Sequence, residues 1–249
     1  MAISGTYIFN PDVTELVEEA YERAGLEMRS GYDLRTARRS LNFLMLEWQN
    51  RGINLWTIEE KTLETSAYGG LSSQLVKGVS KYDIATGTIG LLDVILRTND
   101  GSTSSQADYH ISRISEPTYA NIPNKLTQAR PLQFLFDRKE ILGAGTDGAD
   151  QPSTITFWPV PDDSEKYKVI YWRISRIADV GNLGSNTMQV PDRFLPALVS
   201  GLAYQIAMKR PEAAPRVVPL KQQYEELFKE AADEDRVKTS ARFVPRVGY

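Results

Sequence analysis

Apolar residues recur at helical spacing near both ends of this chain and lose that spacing in the long stretch between. That change of period constrains the fold more than any motif does. Near the start, Val13, Leu16, Val17, Ala20 and Ala24 make one apolar face, with Asn10 as cap, Pro11 in the first turn and Gly25 as stop. The opposite face carries Glu15, Glu18, Glu19 and Glu22, which suits solvent or a partner. A second helix is predicted over residues 33–51 on the stripe Leu34, Ala37, Leu41, Leu44 and Trp48, with Gly52 where a left-handed cap is needed. Phe43 and Met45 widen that stripe on opposite sides and predict more than one packing neighbour.

The closing region repeats the pattern. Val190, Pro191 and Asp192 lead into a helix through Phe194, Leu198, Leu202, Ile206 and Met208, which Pro211, Pro215 and Pro219 then break. The last helix, over 219–236, has Leu220, Tyr224, Leu227, Phe228 and Ala231 on one face and Glu225, Glu226, Glu230, Asp233, Glu234 and Asp235 on the other. Two helices at each end are too few for separate cores and must pair with each other. The predicted class is therefore α+β. A four-helix frame comes from residues 1–53 and 190–236, with an inserted antiparallel β-rich domain over 54–189 and an extended C-terminal tail over 237–249.

Within the middle, strands are predicted at 82–84, 89–98, 108–114, 131–136, 154–158 and 167–173. Asn99-Asp100-Gly101-Ser102 has the positive-φ chemistry of a primed hairpin turn. Ser115 followed by Glu116 and Pro117 predicts one short helical turn over 117–121. Residues 143–151 form a Gly- and Asp-rich connector, 159–163 a Pro-rich turn, and 178–189 a loop.

No site for catalysis emerges. The chain has 249 residues, 41% hydrophobic and 24% charged, enough for a real core, and its lack of Cys excludes disulfides and thiolate metal sites. Without a signal-like start or a membrane-length apolar run, a soluble cytosolic product is expected. The formal charge of -3 does not suit a duplex-DNA reader. The glycine run 143–148 has the letters of a dinucleotide fingerprint but leads to Pro152 and a strand, so a hairpin loop is expected. His110, the only histidine, falls mid-strand beside Tyr109, where a hydrogen-bonded structural role outweighs catalysis. Asp162 and Asp163 are adjacent and diverge in an extended turn, and Asp83 with Asp93 has nothing else to recommend it. Trp56, Tyr109, Tyr119, Phe134, Phe136, Phe157, Trp158, Tyr171 and Trp172 fit sheet packing better than base stacking. A non-enzymatic structural protein without metal or cofactor is expected.

The order of these features resembles the head-to-tail adaptor proteins (head completion or tail accessory proteins) of short-tailed bacteriophages. Residues 41–56, with Trp48, Gly52, Ile53, Leu55 and Trp56, are similar to that family's helix and its Gly-Ile-x-Leu-Trp exit. Residues 109–123 are similar to its Ile-Ser, Tyr-Ala, Ile-Pro segment, and 155–162 to its Trp-Pro-x-Pro turn. Val190-Pro191 and the two closing helices complete the match over about residues 14–236, although the 143–151 loop is longer than in the family. The resemblance implies a twelve-copy ring in the virion, assembled in the host cytoplasm, which joins the portal protein to the tail nozzle protein. Packaged DNA would pass its lumen without sequence-specific contacts and no membrane would be involved. In that picture the weakly acidic helix faces suit the lumen. Arg242, Phe243, Val244, Arg246 and Tyr249 of the tail become candidates for docking to the portal. The alternatives are another phage tail tube or nozzle subunit, which should hold more β-structure, and a polysaccharide-degrading or polysaccharide-binding protein.

Overall fold

Five helices and eight strands form in the computed structural model, which describes residues 9, 11–52, 55–70, 73–139, 152–181 and 188–235. The helices are α1 (Val13–Ala24), α2 (Gly31–Asn50), α3 (Glu116–Ala120), α4 (Leu195–Ala207) and α5 (Val217–Glu234). The strands are β1 (Ile58–Thr62), β2 (Lys81–Asp83), β3 (Thr88–Thr98), β4 (Ala107–His110), β5 (Ser112–Ile114), β6 (Gln133–Asp137), β7 (Thr154–Trp158) and β8 (Tyr167–Ser175). The mixed α and β class is as expected. Contacts divide the chain into two compact units, one from residues up to Trp56 and from Ile177 onward, the other Thr57–Arg176. The tail, 237–249, and the 143–151 connector lie outside the described residues.

In the helical unit, α4 is apolar nearly all round and packs against α1, α2 and α5. Its Leu198, Leu202 and Ile206 join Leu41, Leu44 and Trp48 of α2, Leu16 and Val17 of α1, and Leu220, Tyr224 and Phe228 of α5 in one core. At Gly201 a Cβ would fall 2.9 Å from the Tyr224 ring and 3.0 Å from Leu44, so glycine is what lets α4 approach both neighbours. Trp48 sits against Phe194 and Phe228, with ring centroids 5.5 and 5.6 Å away, and its Nε1 donates to the Tyr224 hydroxyl at 2.9 Å.

Helix ends depart from expectation for local reasons. Asp12 caps α1: its carboxylate accepts from Glu15 N at 2.9 Å, while the Glu15 carboxylate accepts from Asp12 N at 3.1 Å, a reciprocal box that sets the start beyond Asn10. Asn10 itself lies outside the described residues. Gly25 and Gly52 adopt positive φ as their positions require. Helix α5 starts two residues before the expected Pro219, which sits in its first turn, where no intrahelical partner is lost; a 3-10 turn over Pro211–Arg216 separates it from α4. Phe43 does not pack inward but is 61% exposed, and Met208, just past the end of α4, is half exposed. Asp235 leaves the acidic face and is buried in an ion pair with Arg193.

In the other unit two four-stranded sheets have the orders β1-β8-β3-β4 and β2-β7-β6-β5. Leu91, Val94, Leu96, Val169 and Tyr171 of the first sheet share a core with Tyr82, Phe134, Phe136, Ile155 and Phe157 of the second. The single strand expected over 108–114 breaks at buried Ile111: β4 pairs with β3 in one sheet, and β5 pairs with β6 in the other. The β5–β6 pair is parallel, with α3 in the connection between its strands, so the second sheet is mixed and not purely antiparallel. The β3–β4 turn is also longer than expected. It runs over 99–106, with positive φ at Asn99 and Gly101 and the Asn99 amide donating to Ser105 O at 3.0 Å. Both ends of the unit are held together by β1–β8 pairing and by Ser175 Oγ, which donates to Thr57 O at 3.0 Å.

Candidate functional site

The residues with catalytic chemistry do not converge. His110 stands exposed on β4 with Nε2 2.8 Å from Asp93 Oδ1 of β3, and Trp172 lies opposite Asp93 in the register. Asp83 is on β2, in the other sheet from Asp93. Asp163 accepts from Glu165 N at 3.1 Å in the turn, whereas Asp162 faces Tyr167, whose phenol burial and this carboxylate push up to about 12. Among the described residues no group of three or more His, Cys, Asp or Glu could hold a metal ion. The 143–148 glycine run and the tail residues Arg242, Phe243, Val244, Arg246 and Tyr249 lie outside the described residues.

The aromatics mostly serve packing. Phe134, Phe136, Phe157 and Tyr171 are buried in the sheet core, and Trp56 lies against Phe194 at 4.9 Å in the helical one. Tyr119, Trp158 and Trp172 are only partly buried, and Tyr109 is exposed beneath the Arg130 guanidinium at 4.2 Å.

Three surfaces stand out instead. A groove of about 620 Å³ between α1 and α4 is floored by Leu16, Leu195, Pro196 and Val199 and rimmed by acids. Glu15 is engaged in the α1 cap and Glu19 pairs with Arg23 at 2.7 Å. Glu18, Glu22 and Asp192 have no cation partner among the described residues. On α2 an outward stripe joins Tyr32, Phe43 and Leu46 to exposed Arg35 and Arg39, which have no acidic partner among the described residues. Nearby, burial and the Arg39 charge lower the pKa of Lys209.

The third surface is the stretch 112–130, which contains no buried residue although its backbone is well tied. Ser115 caps α3, Lys125 Nζ donates to the Ala120 and Ile122 carbonyls at 3.1 Å, Trp158 Nε1 donates to Asn124 O at 3.1 Å, and Ala129 N donates to Val160 O at 2.9 Å. Leu126, 80% exposed, crowns it. The sequence pattern marks the α1 acids and Phe43 but not the groove floor, because Leu195 and Val199 belong to a helix that is apolar on every side. Nor does it single out Arg35 and Arg39, which look like an ordinary solvated face.

The family model for the SU10 adaptor protein matches residues 13–246, while no curated protein matches the chain. The chain belongs to the SU10 adaptor protein family and is a phage head-to-tail adaptor, a structural protein of the virion. The match spans both compact units and runs past Asp235 into the basic closing segment. No helix among the described residues is long and apolar enough to cross a membrane.

Proposed function

We propose that this adaptor assembles as a twelve-fold ring between portal and tail nozzle, passes packaged DNA through its lumen and catalyses no reaction. The observation that carries the reading is the family match over both units. The outward apolar and charged surfaces agree with it, since a subunit of a closed ring needs patches that only its neighbours cover. In this reading the four long helices are the frame of the ring. The exposed acids of α5, Glu226 and Glu230 among them, suit a DNA-facing wall, because carboxylates repel phosphate where Lys or Arg would retain it. The sheet unit turns its unburied 112–130 stretch toward neighbours or the tail, and residues 237–249 dock to the portal through Arg242, Phe243, Val244, Arg246 and Tyr249.

Phage assembled without this chain tests the reading. The adaptor role predicts heads that fill with DNA, carry no tail and lose their DNA; filled heads that keep a stable adaptor layer and lack only distal tail parts would instead indicate a tail tube or nozzle subunit. Removing 237–249 should abolish capture by the portal in a pull-down, and retained capture would end the docking assignment.

A further inference from the structure

We propose that neighbouring copies meet head to tail, with the outward face of α2 from one copy lying in the α1–α4 groove of the next. This contact rests on the ring reading above and names the surfaces that build it. The two patches share no residue and are opposite in kind. The groove offers an apolar floor with Glu18, Glu22 and Asp192 at its rim, while α2 offers Arg35 and Arg39 between Tyr32 and the apolar Phe43 and Leu46, and none of these charges has an opposite partner among the described residues. Seating one on the other buries exposed apolar side chains and gives each set of charges its missing counterions. Like faces cannot do this: groove against groove sets carboxylates against carboxylates, and α2 against α2 sets guanidinium against guanidinium. A ring further requires the contact to be heterologous and to repeat from copy to copy, not to close on itself as a reciprocal pair. Scale agrees as well. Helix α2, with 20 residues, is about 30 Å long, and the groove is of the size that takes a few side chains.

Because the chain has no Cys, paired substitutions Glu22→Cys and Phe43→Cys carry the only thiols. A bifunctional maleimide at high protein concentration, with and without portal, should give a ladder of trimers and larger species. Dimers alone, or no crosslink where rings are visible, would overturn the contact. Charge reversal gives a second readout on exposed residues that the fold does not need. Glu18→Arg with Glu22→Arg, and separately Arg35→Glu with Arg39→Glu, should each weaken self-association about tenfold. The four-residue variant should restore it, as should mixing the two reversed chains. Rings that ignore the reversals overturn this contact and leave the ring reading standing, whereas wild-type chain that forms neither ring nor ladder overturns both. A groove reversal whose effect disappears once 237–249 are removed would assign the groove to that basic segment and overturn the proposal.

Discussion

The Tyr224 hydroxyl accepts from Trp48 Nε1 at 2.9 Å and donates to Glu47 at 3.3 Å, so one buried phenol links α2 to α5. Burial holds its pKa well above the usual phenol range. Tyr224→Phe keeps the ring packing but strands the indole N–H, and should cost about 1–3 kcal/mol in urea unfolding. Gly201→Ala is expected to destabilise too, by about 1–3 kcal/mol. The added methyl meets the Tyr224 ring, a clash that outweighs the roughly 1 kcal/mol gained in helix propensity. Thermal melts of both variants check these signs, and a more stable Gly201→Ala protein would contradict the packing described for α4. At this scale the sequence was partly readable. The stripe from Ala37 to Trp48 lies at core positions as its spacing predicts, because burial follows period. That Trp48 would find Tyr224, 176 positions away, depends on how the helices meet and leaves no local trace.

Between elements, Arg51 ties the end of α2 to α5. It reaches Glu225 at 2.9 Å and lies 4.5 Å from the Phe228 ring centre. The hydrogen bond from Arg51 holds the Glu225 carboxyl below its ordinary range. A carboxyl depressed in the folded state contributes stability above its unfolded value, near pH ~4.3, and loses it as pH falls through the folded one. Glu225→Gln should therefore lower the unfolding free energy at pH 7 by well under about 1 kcal/mol, since the pair is partly exposed. The gap between variant and wild type should close towards pH 3; an equal gap at both pH values would contradict the pairing. Elements were legible where local chemistry acts alone, as with Ser115 before α3 and the β7 run 154–158. They were misread where the environment decides. Residues 108–114 look like one strand, yet Ile111 fills the core between two sheets and the ladder changes partners there.

Over the whole molecule, helices near the start and close of the chain share one compact unit with its own core, and the sheets form another. Because β1–β8 pairing and the Ser175–Thr57 hydrogen bond bring the ends of the sheet unit together, residues 57–176 expressed alone should fold, with a strand-rich circular dichroism spectrum and a cooperative melt. A spectrum of unfolded chain would contradict that independence. The passage from helices to strands and back was visible in the change of period along the chain. The surfaces proposed to join neighbouring copies were not, since an arginine awaiting a partner and a solvated one look alike in sequence. The most direct measurement is electron microscopy of the purified chain mixed with its portal. A twelve-fold ring seated beneath the portal is expected, and a chain that remains free of the portal, or binds it without forming a ring, would contradict the ring proposed to join portal and nozzle.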